Sequence, residues 1–121
     1  MIALTAQHRY YLYRRAVDMR KSFDGLSGVV RNELGRDPMD GEVYVFLNRQ
    51  RSLVKLLVWD RSGWAIWSKR LERGSYELPQ ASGAGVSLSW SELVLILEGI
   101  SLRSVRQRRR YGVGEKTEKR A

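Results

Sequence analysis

An α+β fold is predicted for this 121-residue sequence, with a small antiparallel sheet of about four strands, one main helix on a face and a short C-terminal helix. Three observations carry the prediction. Between Gly41 and Gly74, three apolar runs rich in β-branched and aromatic residues are separated by short polar turns. Phe23, Leu26, Val30 and Leu34 recur at spacings of three and four, the apolar stripe of an amphipathic helix. Ser89 and Glu92 stand three apart ahead of Leu93, Val94, Ile96 and Leu97, the signature of a capping box opening a short helix.

The elements follow in order. Residues 9–14, Arg-Tyr-Tyr-Leu-Tyr-Arg, form a first aromatic strand. Asp18 is a good N-cap for the main helix, which places Arg20 and Lys21 in its first turn. Gly25 and Gly28 interrupt that helix, and are explained if they let its backbone lie close against the sheet. Gly35 ends it, and Asp37-Pro38-Met39-Asp40-Gly41 is a turn. Val43–Leu47, Leu53–Trp59 and Trp64–Leu71 are then strands. Their short connections suit antiparallel hairpins and are far too short for parallel crossovers. Gly63 is expected to take the positive φ in the Asp60-Arg61-Ser62-Gly63 loop. Gln80–Val86, small and polar, is expected to be a flexible link, and Gly99 closes the last helix.

Length and composition suit one domain, residues 1–102, followed by a basic tail, 103–121, expected to be disordered. The formal net charge is +9, and its distribution matters more than its size. Eight Lys/Arg against two Glu give the tail +6, leaving fourteen against eleven acids, or +3, for residues 1–102. The tail suits either a nucleic-acid-contacting arm or a solvated, solubilising extension. Without cysteine there is no disulfide and no Cys-ligated zinc. The apolar runs fall far short of the roughly 20 residues that span a bilayer, and the N-terminal segment lacks an apolar core of signal-peptide length. A soluble cytoplasmic protein, away from membranes, is expected.

Catalytic chemistry finds little support. His8 is the single histidine, and no nucleophile-elbow motif accompanies it. Asp37, Asp40, Glu42 and Asp60 could be imagined as a two-metal nuclease site, but turn formation explains them more simply. No glycine pattern cradles a phosphate, so no cofactor is expected. Four tryptophans, Trp59, Trp64, Trp67 and Trp90, could stack on single strands, although packing against the sheet is the plainer role. Lys55, inside an apolar strand, must lie on an open face or pair with a carboxylate.

Several ordered motifs bear a family resemblance. They are Asp18-Met19-Arg20-Lys21-Ser22-Phe23-Asp24-Gly25-Leu26, Val43 to Arg49, Val54 to Asp60, Gly63, Lys69-Arg70-Leu71-Glu72-Arg73-Gly74, and Leu93 to Ile100. Together they resemble the small TnpB-type accessory protein of the insertion sequence 66 family, from about Arg9 to Leu102. Gln50, Tyr76 and Leu78 depart from that pattern, and Gln50 weakens a phosphate clamp in its loop. The resemblance implies a protein encoded in a bacterial mobile element beside a large DDE-type transposase and another small protein. It implies an accessory role in transposition and no relation to the RNA-guided nuclease that shares the TnpB label.

The function expected from residues and resemblance together is non-enzymatic, binding DNA or the transposase through basic loops. Arg20, Lys21, Arg49, Arg51, Lys55, Lys69 and Arg70 are the expected phosphate-contacting residues. Element-end DNA and the transposase are the expected partners, with the second small protein a further candidate. A protein-interaction module for the transposase is the rival expectation, and a metal-dependent nuclease a remote third.

Overall fold

The structure, a computed structural model, describes residues 4–99. Five strands and two helices run in the order β1 (Tyr10–Ala16), α1 (Phe23–Asn32), β2 (Val43–Leu47), β3 (Leu53–Asp60), β4 (Gly63–Arg70), β5 (Gly85–Leu88) and α2 (Trp90–Leu97). The α+β class and both helices are as the sequence predicts. The sheet, in the order β4-β3-β2-β1-β5, is larger than predicted and mixed.

Its centre is β2, whose five residues are all buried. Val43, Val45 and Leu47 face a core completed by Tyr10, Leu12, Leu56, Tyr76, Leu93 and Ile96. Tyr44 and Phe46 face a second core with Tyr13, Leu57, Leu26 and Val30. An unbroken apolar run such as Val-Tyr-Val-Phe-Leu is what a strand covered on both sides requires. Each such side chain contributes about 1.5–3 kcal/mol relative to leaving it exposed. Helix α1 therefore covers one face and α2 the other.

The hairpins β2–β3 and β3–β4 are antiparallel, as their short connections predict. The pairing of β1 with β2 is parallel, where the sequence predicts an antiparallel sheet. A parallel pair needs a crossover of a dozen or more residues, and α1 with its flanking turns provides it. Residues 80–86 are a second correction. Instead of a flexible link, the chain there enters β5, which pairs antiparallel with β1 through Tyr11↔Ser87 and Tyr13↔Gly85. Gly85 allows this approach, because a Cβ there would overlap the Tyr11 ring and lie 2.9 Å from Leu34 Cδ2.

Local details at the helix ends also differ. Helix α1 begins at Phe23 with Ser22 at its N-cap, so Asp18, Arg20 and Lys21 precede it. Asp18 instead closes a turn in which the Lys21 N–H donates to the Asp18 carbonyl at 3.1 Å. Gly25 and Gly28 do not bring α1 onto the sheet. A Cβ on Gly25 would touch the Lys21 side chain, and one on Gly28 would meet nothing within 4 Å. The capping box of α2 is present in full, Ser89 accepting from the Glu92 N–H and Glu92 from the Ser89 N–H. In the β3–β4 loop the positive φ falls on Arg61, at 55°, rather than on Gly63.

Two glycine substitutions should move stability in opposite directions. Gly28→Ala, in a helix interior with open space, should gain about 0.5–1 kcal/mol. Gly85→Ala, driven into Tyr11 and Leu34, should lose about 1–3 kcal/mol by overpacking. Urea denaturation midpoints at an unchanged slope check both.

Candidate nucleic-acid interface

Strand directions decide which loops share an end of the sheet. Because β1 and β2 are parallel and β3 and β4 alternate against them, one end gathers the C-terminus of β1, the β2–β3 turn and the C-terminus of β4. That end carries Arg14, Arg15, Arg49, Arg51, Lys69, Arg70 and Arg73, together with Glu72. The opposite end carries Asp37, Asp40, Glu42 and Asp60, with Arg36 and Arg61 among them.

The β2–β3 turn is fixed from within. Asn48 Oδ1 accepts from the Ser52 and Leu53 N–H groups at 2.9 and 3.1 Å, and Asn48 Nδ2 donates to Ser52 Oγ at 3.2 Å. The Arg51 N–H donates to the Asn48 carbonyl at 3.0 Å, and the Arg51 carbonyl accepts from the Tyr76 N–H at 2.7 Å. Arg51 takes φ 57°, a left-handed conformation that tightens the turn. Arg49, Gln50 and Arg51 are left exposed on a backbone that other groups hold. Leu71 N–H donates to the Ser52 carbonyl, so the chain after β4 runs beside this turn and brings exposed Arg70 and Arg73 next to it.

Three of the seven expected contact residues have other work. Lys55 is neither on an open face nor paired with a carboxylate. Its Nζ donates to the carbonyls of Met19 at 2.8 Å and Lys21 at 3.0 Å, tying the segment before α1 onto β3. Lys69 Nζ donates to the Leu97 carbonyl at 2.7 Å. This supplies from the sheet the cation that the last turn of α2 lacks. Arg20 grips Asp18 through Nε, at 3.1 Å to each carboxylate oxygen, and through Nη2 at 2.6 Å. Those hydrogen bonds from Arg20 hold the Asp18 carboxyl well below the usual carboxylate range. The pair is exposed, so it contributes little to stability and Arg20 can exchange partners.

Lys21, Arg49, Arg51 and Arg70 make no side-chain hydrogen bond or ion pair among the described residues, and neither does Arg73. Arg73 shares a sequence motif with Lys69 and Arg70 but is not among the seven expected contacts. Only the hydrogen bonds of Leu71 and Tyr76 to the β2–β3 turn bring it there. Arg14 is spent on the backbone, donating from Nη1 to the Gly83 carbonyl at 2.7 Å, and Arg15 lies 3.8 Å from Glu33. Gly99, the last described residue, lies beside Leu71 at this same end. The basic tail lies outside the described residues.

The carboxylates at the other end serve the turn. Asp37 Oδ1 accepts from the Met39 N–H and Asp40 Oδ1 from the Glu42 N–H. Glu42 pairs with Arg36 at 2.7 Å, and Arg36 also lies over the Tyr11 ring, 4.0 Å from its centroid. Burial raises the Tyr44 hydroxyl far above its ordinary value, so it stays protonated and donates to Asp40 Oδ2 at 2.8 Å. Among the described residues no group of three or more His, Asp or Glu side chains is arranged to hold a metal ion. The tryptophans do not form a platform beside the basic end. Trp59 and Trp64 pack edge to face at 5.0 Å at the far end of the hairpin, and Trp90 packs on Tyr10.

The molecule is thus a small α+β protein with four exposed arginines, Arg49, Arg51, Arg70 and Arg73, at one end of a two-sided sheet. Arg9, Arg31 and Arg61, likewise without a side-chain partner among the described residues, lie elsewhere. The chain matches the family described as IS66 Orf2 like protein over residues 8–107, and it belongs to that family. It is 35% identical over 95 residues to the uncharacterized protein y4hO of Sinorhizobium fredii, covering 78% of this chain and 83% of that one. Its identity to the uncharacterized protein y4jC of the same organism is 27% over 108 residues, or 89% and 92% of the two chains. No solved structure matches. The family match runs five residues beyond Leu102, into the basic segment. No described helix is long and apolar enough to cross a membrane.

Separating the internal lysines from the free arginines gives a direct test. Lys55→Met leaves two carbonyls unpaired and should cost about 1.5–3 kcal/mol of unfolding free energy. Arg49→Ala, on an exposed turn held by Asn48, should stay within about 0.5 kcal/mol of the parent in the same urea titration.

Proposed function

We propose that this transposition-associated protein is a non-enzymatic accessory factor that contacts duplex DNA through the basic end of its sheet. The observation that carries the reading is the convergence of Arg49, Arg51, Arg70 and Arg73 on one end, unpaired among the described residues, while Lys55 and Lys69 are consumed internally. Phosphate recognition needs reachable donors on a positioned backbone, and the Asn48 turn offers that. The contacts are sequence-independent in this reading, so selection of element ends falls to the transposase of the same element, the protein partner proposed here. The second small element-encoded protein is a further candidate for the same assembly. Lys21, two residues in from the end above Lys55, is an outlying member of the set.

Binding to terminal-repeat and scrambled duplexes over a salt series tests the reading. Four phosphate contacts give a log-log slope of about −3.6, and each arginine removed should reduce it by about 1. No binding to either duplex at low salt would refute it. A transposase complex that survives nuclease treatment under those conditions would favour a protein-interaction role.

The two left-handed arginines provide an internal control. Arg51→Gly and Arg61→Gly remove the same charge from the same kind of backbone at opposite ends of the sheet. Glycine relieves the left-handed cost of about 1 kcal/mol but adds a comparable unfolded-state entropy, so both variants should melt within a few degrees of the parent. Arg51→Gly should weaken duplex binding several-fold and Arg61→Gly should leave it unchanged.

A further inference from the structure

Strand β4 is an edge of the sheet and is eight residues long. The bond from Leu71 N–H to the Ser52 carbonyl sets the phase of the β3–β4 ladder. Odd-numbered residues of β4 turn their backbone groups toward β3, and Trp64, Ile66, Ser68 and Arg70 turn theirs outward. Natural edges of this length are blunted by charges, bulges or proline, and the middle of this one, Trp-Ala-Ile-Trp-Ser, has none of them. Trp67 is 41% exposed beside it. Between the edge and β3 runs an open groove of about 330 Å³ lined by Leu4, Leu56, Val58, Ala65 and Trp67, with Asp60 at one end.

The geometry points to a second copy of this chain as the occupant of that edge, joined β4 to β4 antiparallel about a two-fold axis through Ile66. In that register Ile66 meets its own copy, and Trp64 meets Ser68, so the outward groups of both strands exchange hydrogen bonds. On the groove side, Trp67 lies opposite Ala65 of the second copy and enters its groove, a large residue against a small one, twice over. Lys69 comes opposite Gly63, which has no side chain, with Asp60 next in line on the same face. Arg70 falls opposite Ser62, at the hairpin tip. The apolar centre is therefore self-complementary in size, and Lys69, whose Nζ stays on the Leu97 carbonyl, meets no like charge across the seam. A parallel pairing would set Lys69 and Arg70 against their own copies, which like-charge repulsion disfavours. The inference is argued from the edge strand and not from DNA binding; of the four arginines proposed to contact DNA, Arg70 alone lies in this seam, at its end.

Sedimentation of the full chain at tens of micromolar should show a dimer. Ser68→Pro removes only an outward N–H, which the free monomer does not use, and should halve the apparent mass with an unchanged far-ultraviolet spectrum. Trp67→Lys should do the same. The chain has no cysteine, so Ile66→Cys should give a covalent dimer under mild oxidation, while Arg61→Cys should not. A monomer with no cross-link through Ile66→Cys would overturn the proposal, as would a dimer indifferent to both Ser68→Pro and Trp67→Lys.

Discussion

The parallel pairing of β1 with β2 is the constraint on which the arrangement of the rest depends. Tyr10↔Val43, Tyr11↔Tyr44 and Leu12↔Val45 lock the two strands in the same direction, with α1 carried over one face between them. The antiparallel partners then have no choice of polarity. The end of β1, the β2–β3 turn and the end of β4 must lie together, and the acidic turn before β2 must lie at the other end. Had β1 run the other way, Arg14 and Arg15 would sit among Asp37, Asp40 and Asp60. Val17 N–H, donating to the Leu47 carbonyl, holds the two strand ends together past an irregularity in the pairing.

Formal charge overstates what the folded domain can offer a polyanion. Lys55 and Lys69 are long flexible chains whose ammonium groups satisfy carbonyls that would otherwise lack partners, at the segment before α1 and at the end of α2. Lys69 joins α2, which has no basic residue in its last turn, to β4, and Lys55 joins the segment before α1 to β3. Each therefore acts as a tie between the sheet and what packs on it. Tyr76 has a similar role between strands: its buried hydroxyl donates to the Lys69 carbonyl at 3.0 Å while its N–H holds Arg51. That hydroxyl explains how a tyrosine fits at a buried place where the family resemblance suggests phenylalanine.

Much of the fold is legible because local signals agree with burial. The β2, β3 and β4 bounds follow from apolar runs, and the Ser89–Glu92 box marks α2 outright. Strand β5 is harder to see, because Gly85-Val86-Ser87-Leu88 owes its strand to pairing with β1 and to the space Gly85 leaves for Tyr11. The parallel pair was readable in principle, since a helix-length segment separates β1 from β2. The start of α1 misleads because Asp18 is as good a turn former as a cap, and Arg20 supplies its partner. At the candidate site, Arg49, Arg51 and Arg70 could be picked out by type and position. What Lys55 and Lys69 bond to could not, because their acceptors are backbone carbonyls 28 to 36 residues away in sequence.

Asn48 has a consequence for how such a protein can change over time. Its side chain and the carbonyl of Arg51 hold the turn's backbone, so the side chains at 49, 50 and 51 are not needed for its shape. Substitutions there reach the outside of the molecule while leaving the core untouched, and most fall within the small stability margin a domain of this size can spare. Those three positions can therefore diverge between related elements faster than the scaffold that displays them.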